Sequence, residues 1–125
     1  MTNLVLLALT LALFQIWLIP MFLNLKNMNY LLSNRDEPLE TSITVQRVLR
    51  ASANLQESLL PFLALVLVGI ILEENLITLG YAWLALRVAY LLCYSYGIEK
   101  IRSVVWIASV VVLVLMALRL MYVFK

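Results

Sequence analysis

Charged residues are scarce in this chain of 125 residues, and their scarcity excludes an ordinary soluble domain. They make up 13% of the sequence, whereas hydrophobic residues make up 65% and the mean hydropathy is +1.01. Soluble domains carry about a quarter charged residues and about half apolar ones. The chain is therefore expected to be an integral membrane protein.

The sequence also lacks a large net charge, a pair of cysteines, internal repeats and a signal-peptide cleavage site. The net charge is only +2 and the basic residues form no block, which argues against a DNA or RNA partner. The single cysteine, Cys93, excludes an intramolecular disulfide and, within an apolar run, is expected to be a small buried packing residue. No repeat and no metal site are predicted. The first apolar run has no A-x-A-like cleavage site, so we interpret it as a retained span and not as a signal peptide.

Four long apolar runs are present, at residues 4–23, 51–72, 76–96 and 104–124, and each is long enough to cross a bilayer as a helix. Because the last two connections are short, the predicted fold is an all-α, up-down-up-down, left-handed four-helix bundle forming one domain over residues 1–125. The longer first connection is polar, and Thr41 or Ser42 is the candidate N-cap of the second helix.

The distribution of basic residues predicts the orientation of these spans. The second loop has only Glu73 and Glu74, whereas the first and third loops are flanked by the basic residues Lys26, Arg35, Arg47, Arg50, Lys100 and Arg102. The positive-inside rule places those two loops in the cytoplasm and both termini on the other side. Arg119 opposes this assignment slightly, but its long side chain can reach the far interface. The compact loops and the lack of targeting signals favour a bacterial inner membrane, with the endoplasmic reticulum as the alternative.

Polar residues lie inside the second and third spans. Residues 58–72 supply only fifteen positions before Glu73, so the second span must begin near Ala51 and carry polar residues below the interface. At 100° per residue, each span places its polar residues within an arc of about 80°. The second span carries Arg47, Arg50, Asn54 and Glu57, with Pro61 one turn later, and the third carries Arg87, Tyr90, Tyr94 and Gly97.

Arg87 near mid-span is unfavourable by about 2.5 to 3.5 kcal/mol on insertion scales. We therefore expect Arg87 and Glu57 to approach each other directly or through a ligand. Taken singly, these residues also suit a structural ion pair, interfacial anchors, belt aromatics or interhelical hydrogen bonds. Together with Arg102 and Ser103 at the same level, they suit a small zwitterion with several carboxylates and one ammonium group.

The segment "RVLRASANLQESLLPF" resembles the signature of the MAPEG superfamily, membrane-associated proteins in eicosanoid and glutathione metabolism. That signature reads approximately R-x-x-R-A-x-x-N-x-x-E-x-x-x-P-x-F, and its fixed positions are Arg47, Arg50, Ala51, Asn54, Glu57, Pro61 and Phe62. A second segment, "LRVAYLLCYSYGIEKIRSVVW", is similar to the family's third helix, short turn and start of the fourth helix. The resemblance covers the whole chain.

This resemblance implies a homotrimer that binds glutathione, as co-substrate, between neighbouring subunits. By position, the glutathione contacts would be Arg50, Asn54, Glu57, Tyr90 and Tyr94, with Lys26 supplied from the first helix of a neighbour. Glu57 would face the γ-glutamyl amine. The catalytic residues facing the sulfur would be Arg102 and Ser103, and Arg47 and Arg87 would support the site.

The implied activity is that of a transferase or peroxidase that activates the glutathione thiolate for attack on a lipophilic electrophile or hydroperoxide arriving from membrane lipid. Ala53 replaces an arginine of the prostaglandin E synthases, so that specificity is not carried over. Two alternatives remain: a non-catalytic protein of the same fold that binds glutathione or lipid, and a small multidrug exporter. Such exporters use a carboxylate in their first helix, which this sequence lacks.

Overall fold

The computed structural model describes residues 1–23, 25–27, 29, 32–34 and 42–123, and the long elements in this part of the chain are all helices. Within these ranges, four helices are long and apolar enough to span a membrane: α1 (Thr2–Leu23), α2 (Ile43–Ile71), α3 (Ile77–Tyr96) and α4 (Glu99–Val123). The predicted all-α, four-span fold is confirmed. The predicted end of the fourth span at Phe124, like Arg35 in the first loop, lies outside the described residues.

Helix α2 begins at Ile43, about two turns before the predicted start of its apolar run at Ala51. Its start is fixed by Ser42, whose hydroxyl accepts a hydrogen bond from the backbone N–H of Val45 at 3.3 Å. Of the two candidate caps, Ser42 is therefore confirmed, while Thr41 lies outside the described residues. The early start gives α2 a polar extension that carries the first arginines of the signature.

Both short connections are made by the same left-handed turn. At the end of α3, Gly97 has a φ of +73°, and the amides of Gly97 and Ile98 donate to the carbonyls of Tyr94 and Cys93. At the end of α2, Glu73 takes the same conformation, with a φ of +55°. Such turns satisfy the last carbonyls of a helix and reverse the chain in a few residues. Neighbouring helices are consequently antiparallel.

The first helix packs on the bundle through small and apolar residues at four-residue spacing. Leu4, Ala8 and Ala12 are buried in the main apolar cluster. That cluster also contains Phe62 and Trp83, whose rings stack with centroids 4.0 Å apart. A smaller cluster includes Ala51, Tyr90 and Leu91. Tyr90 of the third span belongs to this smaller cluster, and Tyr94 packs against it.

A wide turn interrupts α1, because residues Leu13–Leu18 form π-helix. The N–H of Ile19 donates to the carbonyl of Phe14, five residues back, so the next carbonyl, that of Gln15, would require an N–H from Pro20. Proline has none. The hydroxyl of Ser52 in α2 lies 2.8 Å from the Gln15 oxygen and fills this place, while also lying 2.8 Å from the carbonyl of Val48. The hydrogen bond from Ser52 therefore attaches α1 to α2 close to the polar stripe.

Candidate functional site

A buried guanidinium connects three helices at the centre of the site. Arg87 of α3 is only 1% exposed. Its Nη2 donates to Oδ1 of Asn54 in α2 at 2.6 Å, and its Nη1 donates to Oγ of Ser109 in α4 at 3.4 Å. The guanidinium also lies against the rings of Trp83 and Tyr90, 5.7 and 4.9 Å from their centroids. Arg87 thus links α3 to α2 and α4 through side-chain hydrogen bonds.

The expected direct contact between Arg87 and Glu57 is not observed. Within the described part of the chain no ion pair joins them, and Asn54 takes the guanidinium instead. The reason is geometric, since Asn54 lies about one turn away from Glu57 along α2 and on the half-buried side of the stripe. Glu57 is exposed on the outer face of the bundle and has no hydrogen-bond partner among the described residues.

The first concavity, here called the arginine cleft, lies between the start of α2, the end of α3 and the start of α4, and has a volume of about 200 Å³. Arg47 lies over Gly97, where an added Cβ would come within 2.8 Å of the guanidinium, so the glycine makes room for the arginine. The Arg102 guanidinium stacks on the ring of Tyr94, 4.7 Å from its centroid. The lining residues are Ile43, Gln46, Arg47, Arg50, Cys93, Tyr94, Gly97, Ile98, Glu99 and Arg102.

The second concavity, here called the lateral groove, has a volume of about 390 Å³. Its polar side consists of Asn54, Tyr90, Arg102 and Ser103, and its apolar side consists of Trp106 and Ile107. The hydroxyl of Ser103 donates to the carbonyl of Glu99 at 3.2 Å, which leaves its oxygen lone pairs available. Arg102 lines both the arginine cleft and the lateral groove, so one guanidinium faces a polar space and a partly apolar one.

The structure brings most of the predicted site residues together at one end of the bundle. Arg47, Arg50, Tyr94 and Arg102 line the arginine cleft, Asn54, Tyr90 and Ser103 line the lateral groove with Arg102, and Arg87 lies behind them. Lys26 is separate. It is exposed on the single turn Leu25–Asn27, which among the described elements contacts only the end of α1. A role for Lys26 therefore stays a prediction.

Three residues of the site were not anticipated from the sequence. Ser109 lies two helical turns after Arg102 on α4, and that spacing is the signal that would have indicated it. Trp83 lies one turn before Arg87 on α3, and Trp106 lies one turn after Arg102 on α4. The expectation for Cys93 was wrong: the residue is only half-buried and lines the arginine cleft near the end of α3.

The opposite end of the bundle contains the one ion pair found among the described residues. Nε of Arg119, near the end of α4, donates to Oε1 of Glu74 in the turn between α2 and α3 at 2.5 Å. Arg119 therefore has a local carboxylate partner, and its positive charge is compensated within the chain. This end is called the glutamate end below, and the end with the arginine cleft is called the arginine end.

The fold and the site together define a helical membrane protein with four candidate spans and a guanidinium-rich site at one end. Comparison with known families gives the more specific identification: residues 2–122 match the MAPEG family, and the chain belongs to that family. It is thus a multi-pass membrane protein of glutathione or eicosanoid metabolism. Comparison with curated proteins and with solved structures gave no match.

Proposed function

We propose that this protein is a glutathione-dependent membrane transferase or peroxidase that acts on a lipophilic electrophile or hydroperoxide. The observation that carries the proposal is the position of Arg102 between the arginine cleft and the lateral groove. A guanidinium at such a boundary can hold a sulfur anion from a polar ligand next to an apolar substrate. Arg102 also has no ion-pair partner among the described residues, so its charge is available to a ligand.

The chemistry of the arginine cleft supports glutathione as the co-substrate. Glutathione has two carboxylates, one ammonium group and a thiol. The guanidinium groups of Arg47, Arg50 and Arg102 suit the carboxylates, because charge-assisted pairs of this kind are the strongest hydrogen bonds available to a side chain. Glu57 suits the ammonium group. Tyr90 and Tyr94 provide phenolic groups between these charges.

A neighbouring subunit would complete this site. Arg50 and Glu57 are exposed on a single chain, and neither has an ion-pair partner among the described residues. A carboxylate on a lipid-facing helix surface is unfavourable by a few kcal/mol, so we infer that another subunit covers this face in a homotrimer. The first helix of that neighbour would bring Lys26 to the ligand. We further propose that the arginine end faces the cytoplasm of a bacterial inner membrane, as the distribution of basic residues predicts.

The reaction follows from thiol chemistry. A free thiol with a pKa of about 8.5 is only slightly ionised at neutral pH, and a nearby guanidinium favours the thiolate. The thiolate sulfur forms a bond to an electrophilic carbon while the leaving group departs with its bonding electrons. With a hydroperoxide, the sulfur takes the terminal oxygen and releases an alkoxide, which takes a proton. A second glutathione then reduces the sulfenic acid, giving the disulfide and water. The lipophilic substrate would enter the lateral groove past Trp106.

The test is a calorimetric titration of glutathione into the detergent-solubilised protein, with oligomer mass measured on the same samples. We expect saturable binding by the wild type and binding at least about tenfold weaker in Glu57→Gln and Arg102→Ala, since each variant removes a charged contact of about 1.5 to 3 kcal/mol. The oligomer should persist in both variants. Absence of wild-type binding to an intact oligomer would refute glutathione as the ligand.

Matched controls come from the glutamate end. Glu74→Gln removes a carboxylate and Arg119→Ala removes an arginine from the same helix as Arg102, but on the other side of the bundle. Neither change should alter the affinity for glutathione. An electrophile screen on the same preparations then distinguishes the enzyme from the non-catalytic alternative, in which glutathione binds and no electrophile is consumed.

A further inference from the structure

The buried guanidinium of Arg87 has no carboxylate partner among the described residues. Tyr90 is the ionisable group against Arg87, and around Tyr90 lie Glu57 on α2, Tyr94 on α3 and Arg102 on α4; no ion pair joins Arg87 to a carboxylate of the described residues. Helix α1 has no ionisable side chain in Thr2–Leu23. A buried charge is normally paired or hydrogen-bonded. The positive charge of Arg87 is therefore compensated only by neutral groups.

The contact with Arg87 fixes which end of the Asn54 amide faces it. A guanidinium has only hydrogen-bond donors, so the amide atom that it touches must be the carbonyl oxygen. The 2.6 Å bond from Nη2 to Oδ1 has this arrangement. The NH2 group of Asn54 then points away from Arg87 and has no partner among the described residues, while Asn54 itself lines the lateral groove. These two observations point the two N–H donors of the amide, polarised by a buried cation, toward the groove.

Arg87 is itself held in place from α4. Its Nη1 donates to Oγ of Ser109, and the hydroxyl of Ser109 donates to the carbonyl of Trp106 at 2.7 Å. Trp106 lies on the apolar side of the lateral groove, one turn after Arg102. The chain of hydrogen bonds from Asn54 through Arg87 and Ser109 to Trp106 therefore spans both sides of the groove. Such a chain holds its members in a single arrangement.

We propose that Arg87 is a positioning residue that orients the Asn54 amide with its NH2 group toward the lateral groove, where that group stabilises the thiolate of bound glutathione together with Arg102. The inference rests on the proposed function and adds a second thiolate donor to it. The uncompensated charge of Arg87 acts through Asn54, because Arg87 is buried behind the amide and does not reach the groove itself.

The decisive variant is Asn54→Asp, which keeps the shape of the side chain. It gives Arg87 a carboxylate partner, compensates its charge and replaces the NH2 group facing the groove with an oxygen. A purely structural role predicts an equally stable or more stable protein and, in Arg87→Lys, which adds no negative charge to the site, an unchanged ligand thiolate. Our proposal predicts a protein that still folds, in which the thiol pKa of bound glutathione rises and the thiolate population at neutral pH falls about tenfold or more, corresponding to about one pKa unit.

The readout is the ultraviolet absorbance of the bound thiolate as a function of pH, measured without any electrophile. S-methylglutathione, which keeps both carboxylates and the ammonium group but cannot form a thiolate, is the matched ligand. Its affinity should change little in Asn54→Asp. If S-methylglutathione loses as much affinity as glutathione does, the amide serves a carboxylate and the proposal is wrong. An unchanged thiolate absorbance in Asn54→Asp overturns the proposal while leaving glutathione activation by Arg102 intact.

Two further variants keep the proposal testable if Asn54→Asp fails to fold. Arg87→Lys keeps the buried charge but loses the planar fork that fixes the amide, so the thiolate population should fall several-fold relative to the wild type. Ser109→Ala removes a contact of Arg87 while retaining the bond to Asn54, and it should change the thiolate least. The reverse order would contradict the proposal. No thiolate in the wild type would refute the proposed function and this inference together.

Discussion

The two ends of the bundle use the same backbone turn and opposite charge arrangements. At the glutamate end, Glu73 occupies the left-handed position, and Glu74 beside it forms an ion pair with Arg119. At the arginine end, Gly97 occupies the corresponding position and lies under the guanidinium of Arg47. Arg102, next to that turn, has no ion-pair partner among the described residues. The arginine of one end is therefore compensated by a carboxylate of the same chain, and that of the other end is not.

This difference indicates where a charged ligand would bind. A paired surface arginine contributes about 0 to 1 kcal/mol and offers little to a ligand. Unpaired arginines around a concavity retain their donors and attract anions. The number of charged residues alone would not distinguish the two ends, since both contain arginine and glutamate. The distinction depends on which charges have a partner.

The largest effect should come from removing the unpaired arginine of the arginine end. Arg102→Ala should lower turnover of a generic electrophile about 100-fold, a magnitude typical of losing one donor that stabilises a developing or bound anion. Steady-state kinetics at saturating glutathione measures this change. Arg119→Ala, which removes the paired arginine of the same helix, should leave turnover nearly unchanged. Equal losses in both variants would contradict the distinction between the ends.

The next largest effect should be on the free energy of unfolding, and it tests the hydrogen bond between α1 and α2 rather than ligand binding. Ser52→Ala removes the donor that reaches the Gln15 carbonyl and should lower the free energy of unfolding by about 1 to 3 kcal/mol, since it leaves a buried acceptor unsatisfied. Equilibrium unfolding in detergent measures the loss. Ser58→Ala is the matched control, because Ser58 bonds only to carbonyls of its own helix. A similar loss in both variants would show that the contact with α1 contributes nothing.

A smaller effect is expected on the apolar side of the lateral groove. Trp106→Ala should raise the KM for a lipophilic electrophile several-fold. It removes an aromatic surface of the lateral groove that should contribute about 1 kcal/mol or more to binding of that substrate. The affinity for glutathione should not change. Trp17→Ala removes an exposed tryptophan of α1 that does not line the groove and serves as the control. If both substitutions raise KM equally, entry past Trp106 is refuted.

The smallest effect should come from the turn at the glutamate end. The left-handed conformation of Glu73 is unfavourable by about 1 kcal/mol for a residue with a side chain, and Glu73→Gly removes this penalty. The gain is partly offset because glycine has greater conformational freedom in the unfolded chain. The net gain should be about 0.5 kcal/mol in the free energy of unfolding. Gly97→Ala at the arginine end should change stability in the opposite direction and displace Arg47. A loss of stability in Glu73→Gly would contradict this account of the turn.

Much of the fold could be predicted from the sequence because membrane spans have strong physical requirements. The lengths of the apolar runs and the short connections determined the four helices, and the 3.6-residue period grouped Asn54 and Arg87 with residues that line the two concavities. The hydroxyl residues Thr41 and Ser42 were likewise predicted as candidate caps of α2, and Ser42 is the cap observed. Each of these inferences depends on local composition and spacing, which the sequence contains in full.

The site was predicted less completely, because pairing between helices depends on offsets of about one turn. The ends of an apolar run locate a residue along the membrane normal only to within about one helical turn. The sequence therefore did not distinguish Asn54 from Glu57 as the partner of Arg87. The wide turn in α1 was missed because a missing N–H at Pro20 can be accommodated in several ways. The role of Lys26 depends on a second chain, which one sequence does not describe.

The hydrogen bond between Ser52 and the Gln15 carbonyl also has an evolutionary consequence. The wide turn is equivalent to one residue inserted into α1, so the two parts of that helix are rotated by about 100° relative to an uninterrupted helix. A related chain with an ordinary amide at position 20 would lose the need for a hydroxyl at position 52, and could keep the packing of Leu4, Ala8 and Ala12 by deleting one residue. We therefore expect positions 20 and 52 to change together among relatives, accompanied by a one-residue gap in alignments of the first helix.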